Sequence, residues 1–230
     1  MNSHELLCPS KSVYLPCHSP GTSLLKITND ILRALGDDDV ALLTLLGLSS
    51  ALDTIDHYIL LHRLKSLYGI SGAIVSWLES YLSGRTQTVT VNDRSSRPAD
   101  VSIGVPHGSV LGPILFVLYS APLSSLIETH SVSNQSFAGD TQLLHCCPPD
   151  QIHATGLTMQ TCISDVKSWM TQNKLNDDKT EAVLIKSNRS TFPNTQLTLL
   201  RVGSANIPFT TCARKFGPMI LDNMAFDNCI

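Results

Sequence analysis

The spacing of apolar residues changes several times along this chain, and the order of those changes constrains its fold more than any other feature. From Thr22 the period is helical: Leu24, Ile27, Ile31 and Leu35 recur on one face, with Gly36 as a stop. Gly36-Asp37-Asp38-Asp39 reads as a turn. Val40 to Leu46 is a short apolar run of the kind a central strand needs. Asp56 is placed to cap a helix carrying Ile59, Leu60, Leu64 and Leu67, which ends before Gly69. A second helix follows, with Ile74, Trp77, Leu78 and Tyr81 expected inward and Gly84 after it. The period then drops to two. Thr86 to Val91 alternates, Asn92-Asp93 turns and Val101 to Ile103 returns, a hairpin pattern. Ser109 to Ile127 reads as mainly helix. Ser131 to Phe137 and Thr141 to Leu144 read as strands about a tight turn. Ile152 to Met170 is helical, and Glu181 to Ile185, Leu197 to Val202 and Ala213 to Leu221 are short strands. Helices and strands mix without strict βαβ alternation, which predicts an α+β fold with an antiparallel sheet.

Composition narrows the function. The chain has 230 residues, 43% hydrophobic and 15% charged, enough for one good core. Its net charge of -3 offers no global basic field for nucleic acid. The seven cysteines contain no C-x-x-C pair, so His145-Cys146-Cys147 reads as idle thiols rather than a zinc site. Met1 to Glu5 lacks the pattern of a signal peptide. The apolar run Ile114 to Tyr119, closed by Gly112-Pro113 and Pro122, is shorter than the roughly 20 residues of a membrane span. An intracellular, soluble protein without a membrane partner is the expectation.

The turn at Phe137-Ala138-Gly139-Asp140 carries the chemistry. A hairpin with acids at its tip can hold divalent cations rigidly. Alone, a Gly-Asp turn is usually only a turn. Here it has company. Leu45-Leu46-Gly47-Leu48-Ser49-Ser50-Ala51-Leu52-Asp53-Thr54-Ile55-Asp56-His57 resembles the L-L-D-L-S-A-A-F-D-T-I-D-H motif of reverse transcriptases from non-LTR, LINE-type retrotransposons. Gly104-Val105-Pro106-His107-Gly108-Ser109-Val110-Leu111-Gly112-Pro113 resembles their G-V-P-Q-G-S-V-L-G-P motif. Phe137 to Asp140 resembles F-A-D-D. Leu175-Asn176-Asp177-Asp178-Lys179-Thr180-Glu181 resembles L-N-x-x-K-T-E, and Ala213-Arg214-Lys215-Phe216-Gly217 resembles the start of the primer grip. Five motifs stand in the family order.

The resemblance implies a polymerase palm: a small antiparallel sheet packed on helices, with fingers and thumb largely missing. It implies residues 1–20 as unstructured or a fingers remnant, 21–187 as the palm, and 188–230 as the end of the palm with a truncated primer-grip-like hairpin. It implies two Mg²⁺ ions, an RNA template and a DNA primer. By position, the two principal metal ligands fall on Gly47 and Gly139. Asp140 is the remaining acid and Lys179 matches a proton-donating lysine. Leu52, His107 and Gly108 fall in the nucleotide pocket, and Phe216 and Gly217 in the primer grip. Fewer residues than in the family separate Trp169-Met170 from Leu175-Asn176, a departure that bears on where Lys179 stands. Because glycine has no side-chain oxygen, the resemblance implies a catalytically dead copy. The alternative is a non-catalytic nucleic-acid-binding or interaction module with a retained palm fold, and His62, Arg63 and Lys65 would be its nearest basic cluster. A third reading leaves the Ile114 to Leu118 face exposed and the chain unstably folded.

Overall fold

The structure is a computed structural model that describes residues 19–106, 108–137, 139–187, 197–210, 212–214 and 219–221. Helix α1, Pro20–Gly36, starts at Ser19, whose Oγ accepts from the Thr22 N–H while Thr22 Oγ1 accepts from the Ser19 N–H, a reciprocal cap. Gly36 is its last residue rather than its stop. The left-handed turn falls on Asp38, at φ 60°.

Strand β1, Val40–Ser49, outruns the apolar Val40–Leu46 stretch because it is bonded along both edges. Its neighbours are β7, Asp140–Cys147, and β8, Asn176–Ile185. Strand β6, Ser133–Phe137, joins the far edge of β7, giving the antiparallel order β6-β7-β1-β8. Alternation splits β1 between two cores. Ala41, Leu43 and Leu45 face Ile27 and Ile31 of α1. Leu42 and Leu46 face a larger core supplied by helices α2 (His57–Ser66), α3 (Ala73–Leu82), α4 (Leu111–Ser120), α5 (Pro122–Glu128) and α6 (Ile152–Gln172). This is the expected α+β architecture.

The hairpin after α3 is built in two steps. Strand β2 (Arg85–Gln87) pairs with β5 (Ala99–Val101), and β3 (Thr90–Val91) with β4 (Arg94–Ser95), about Asn92 and Asp93 at φ 46° and 63°. Beyond β8, β9 (Leu199–Val202) and β10 (Ala205–Pro208) turn at Gly203, and β11 (Cys212–Arg214) pairs with β12 (Met219–Leu221).

Three expectations need correction. In α3 the buried residues are Val75, Leu78 and Leu82, while Ile74 and Trp77 are 62% and 55% exposed. Leu67, assigned to the apolar face of α2, is also exposed. The Ile114–Leu118 face is not left bare: Leu115, Phe116 and Val117 are buried, and only Ile114 is exposed. The longer stretch Leu111–Glu128 does have the length and composition of a membrane span, although half of it is buried within the fold and α4 gives way to α5 at Ala121-Pro122.

Nor is the group His62, Arg63, Lys65 a basic face. Lys65 pairs with Glu79 at 3.0 Å. Arg63 is drawn inward, its guanidinium lying 5.0 Å from the Tyr119 ring centre and 5.5 Å from that of Trp169. One nitrogen donates to the Tyr119 carbonyl and another to Asn173 Oδ1 at 2.6 Å. The Tyr119 hydroxyl donates to the Asn173 carbonyl at 2.6 Å, so one cation ties α2, α4 and the end of α6 together. Burial pushes its pKa below the usual arginine value. Arg63→Ala removes two charge-assisted bonds and two ring contacts. The expected cost is about 3 kcal/mol, read as a thermal midpoint lower by roughly 6–12 °C. Arg63→Lys recovers little of it, because an ammonium cannot donate as a planar fork. A lysine variant that melts with the wild type would show the fork geometry to be unused.

Candidate active site

The site is assembled by strand register. Gly47 pairs with Asp140 on β7 and with Lys179 on β8. Directly paired residues in an antiparallel sheet project to the same face, so Asp140, Gly47 and Lys179 form one cross-strand row. That face is the one α1 covers further along, beside Leu45 and Leu43. A Cβ on Gly47 would lie 3.5 Å from Asp140 Oδ1 and 3.8 Å from Lys179 Cβ. The register of β8 shifts between Gly47 and Leu48, which places Asp178 as the extra residue of a bulge. The shortened segment before Leu175 therefore still delivers Lys179 opposite Gly47.

Gly139 lies in the β6–β7 turn. Its carbonyl accepts from the Leu48 N–H at 2.9 Å, binding the turn to the end of β1. A Cβ on Gly139 would meet the Leu48 carbonyl oxygen at 3.2 Å, Leu48 Cβ at 3.5 Å and Ala51 Cβ at 3.6 Å. The two glycines and Asp140 thus stand within one cluster of touching backbones, as two strands converging on a metal pair would require.

Of the acids following the first motif, Asp56 is employed elsewhere. Asp56 Oδ1 accepts from the Ile59 N–H at 3.0 Å and its Oδ2 from Lys174 Nζ at 2.5 Å. Burial works to raise its pKa, yet the Lys174 and backbone bonds hold it below the usual carboxylate value. Asp53 is exposed, with its backbone against Gly104, and Asp100 lies in the exposed hairpin. Among the described residues, no cluster of three His, Cys, Asp or Glu side chains could hold a metal ion. Glycine at 47 and 139 leaves Asp140 as the described carboxylate of the row, so these residues do not fit a two-Mg²⁺ centre.

A family model for reverse transcriptase (RNA-dependent DNA polymerase) matches residues 13–209. The chain belongs to the reverse transcriptase family. It is 30% identical over 173 residues to a probable RNA-directed DNA polymerase from transposon BS of Drosophila melanogaster, covering 71% of this chain and 18% of that protein. It is 28% identical over 132 residues to the RNA-directed DNA polymerase from mobile element jockey of the same fly, covering 55% and 14%. The chain therefore spans less than a fifth of the length of these curated relatives. Among solved structures it resembles the apo telomerase of Candida tropicalis, with a TM-score of 0.59 at 11% identity over 94% of this chain and 37% of that one. Telomerase from Candida albicans gives 0.57 at 11% identity, covering 94% and 35%. At such identity the likeness concerns the fold, a partial reverse-transcriptase palm. The mobile-element relatives place the chain with the LINE-type branch.

The remaining reverse-transcriptase motif positions divide. Leu52 is half-buried against the large core, and its carbonyl accepts from the Val105 N–H at 2.9 Å. Gly108 is exposed at φ 73°. His107, Phe216 and Gly217 lie outside the described residues. Burial disfavours the thiolate at the described cysteines, pushing Cys146 to about 11 and Cys162 to about 12 and also raising Cys147. Beside them, burial lowers the His145 pKa. Sequence reasoning missed the inward turn of Arg63 and the outward turn of Trp77. Charge and hydrophobicity pointed each the other way.

Proposed function

We propose that this chain derives from a reverse-transcriptase palm that added deoxynucleotides to a DNA primer on an RNA template, and that it no longer does so. The observation that carries the reading is the row Asp140–Gly47–Lys179. The β1 position paired with Asp140 has no side chain, and neither has Gly139 in the turn.

In such a centre, Mg²⁺ ions would lower the barrier by binding the attacking and leaving oxygens, a contribution of several kcal/mol. Losing about 5 kcal/mol slows a reaction by more than roughly a thousandfold. Asp140 retains the position of the third acid and is better regarded as a marker of ancestry than as a working ligand. Lys179, exposed on β8, matches by motif the lysine that would donate a proton to a leaving pyrophosphate. Leu52, His107 and Gly108 correspond to the nucleotide pocket, and Phe216 and Gly217 to the primer grip. Leu52 substitutes for the aromatic that would exclude a 2′-hydroxyl, which further separates this pocket from a selective polymerase.

The test is primer extension on a primed RNA template with Mg²⁺ or Mn²⁺. The expected result is no extension above a no-protein control. Robust extension by the chain as it stands would overturn the proposal.

A further inference from the structure

We propose that the exposed hairpin 85–101, with the stack of Trp77, Tyr81 and Arg85 at its root, is a binding surface for an unpaired polynucleotide strand. The inference rests on the reverse-transcriptase reading only for the natural identity of that strand, an RNA template.

Three observations converge. First, Trp77 and Tyr81 lie one turn apart on α3 with ring centres 5.7 Å apart and planes within 14° of parallel. The Arg85 guanidinium continues the column, 5.5 Å from the Tyr81 ring centre, and donates to the Tyr81 carbonyl at 3.3 Å. Trp77 keeps 55% of its surface in solvent. A preformed stack with an accessible indole suits an unpaired base, which brings its own π-face and needs no sequence match. Core packing does not explain the indole, because the buried face of this helix is Val75, Leu78 and Leu82.

Second, every residue from Thr86 to Asp100 is exposed. A two-stranded hairpin standing free in water is marginally stable, and a bound strand would add contacts to it. From Arg85 to Val101 it carries Arg85, Arg94 and Arg97 against Asp93 and Asp100, three positive charges to two negative, in a chain whose net charge is -3. The local excess suits phosphates although the whole chain does not.

Third, a cleft of about 200 Å³ opens where the arm leaves the body, lined by Asp53, Arg85, Gln87, Gly104 and Pro106 among others. The cleft is polar and mixed in charge, with Asp53 at its edge. That directs bases, with their donors and acceptors, to the root, and phosphates to the arginines farther out. Column, cleft and arm share Arg85, so one strand can engage all three.

The experiment is fluorescence anisotropy with fluorescein-labelled 15-mers of oligo(rU) and oligo(dT), in EDTA at low salt, using the whole chain. Trp77→Ala is expected to weaken binding about tenfold or more, and Trp77→Tyr to retain most of it. Arg94→Ala with Arg97→Ala is expected to flatten the salt dependence by about 1.4 in log–log slope, two phosphate contacts at 0.7 each. A duplex of the same length is expected to compete poorly, and comparing the two oligomers separates an RNA preference from a general one. Both variants alter exposed positions, and circular dichroism verifies their fold. Binding of neither oligomer overturns the proposal and leaves the arm to a protein partner. Wild-type binding by Trp77→Ala also overturns it, because charge alone would then hold the strand. Since the assay contains no metal, extension activity would overturn the inactive-palm reading without touching this result, and loss of strand binding would do the reverse.

Discussion

Gly104→Ala is expected to destabilise the protein by about 2–6 kcal/mol, a large part of the roughly 5–15 kcal/mol available to a domain. Two penalties add. Gly104 sits at φ 81°, where a side chain costs about 1–3 kcal/mol. A Cβ there would also lie 2.9 Å from the Asp53 carbonyl oxygen, 3.0 Å from its Cα and 3.1 Å from its carbonyl carbon. All three atoms are backbone, so no rotamer relieves the clash, and forcing it open costs a further 1–3 kcal/mol or so. The segment cannot simply move away. The Gly104 N–H donates to the Ile55 carbonyl at 2.8 Å, the Val105 N–H to that of Leu52, and His57 Nε2 lies 2.7 Å from the Gly104 carbonyl. Since a carbonyl only accepts, that ring nitrogen carries the hydrogen. Gly108→Ala is the control. Its φ is 73°, yet nothing lies within 4 Å of its Cβ, so only the conformational penalty of about 1 kcal/mol or more applies. Urea denaturation of the two variants separates the terms. Equal midpoints would mean that the approach of Asp53 to Gly104 does not limit packing.

This contact was half legible in the sequence. A glycine opening the G-V-P motif suggests a special backbone conformation, but nothing local says that residue 53 will press against it. The same division runs through the fold. Asp56 could be read as a cap because its partner, Ile59, lies three residues away. Helix α3 could be found but not oriented. Ile74, Trp77 and Tyr81 form one apolar stripe and Val75, Leu78 and Leu82 another, so periodicity supports both and only tertiary packing, against α2 above all, chooses. Arg63 looked like surface because it is charged, and its burial depends on two rings more than fifty residues away. Strand β10 escaped because Ala205 to Pro208 does not alternate and its partner is fixed by the turn at Gly203. Gln142 and Asn134 escaped as well. Both are buried on the sheet, with Gln142 offering two polar atoms and Asn134 one that find no partner among the described residues. At about 1–3 kcal/mol each, no local pattern would have placed them there. In the candidate site, the pairing of Gly47 with Asp140 could not be computed from spacing. The motif resemblance implied only that the two positions converge, and the strand register supplies the pairing.

Gly47→Asp is expected to create a divalent-cation site where the present row offers the Asp140 carboxylate without a second one beside it, and to make stability depend on the metal. The new Cβ would lie 3.5 Å from Asp140 Oδ1, ordinary contact, so the side chain enters without displacing backbone. It brings a second carboxylate to within roughly 4–5 Å of the first. At an effective dielectric of about 20, two like charges at that range repel by about 3–4 kcal/mol, an upper bound for a site open to solvent. In EDTA the variant should therefore melt several degrees below the wild type, and millimolar Mn²⁺ or Mg²⁺ should restore the loss. The wild type, with glycine at this position, should show no such metal dependence. The sign is checked by pH: repulsion keeps one carboxyl of the pair protonated to higher pH than in the unfolded chain. The EDTA deficit should thus shrink as pH falls through the raised carboxyl pKa toward the unfolded Asp value of about 4. Gly139→Asp is the harder half of a restoration. Its Cβ meets the Leu48 carbonyl oxygen at 3.2 Å, so the turn must give by a few tenths of an ångström before a carboxylate can point at the metals. Gly47→Asp alone should bind one cation weakly, and the double variant should bind more tightly at the cost of a lower melting point without metal. Calorimetric titration with Mn²⁺ reads the affinities. A Gly47→Asp protein that neither binds Mn²⁺ nor gains stability from it would separate this sheet row from any ancestral metal centre, and with it remove the physical basis for reading Gly47 and Gly139 as lost ligands.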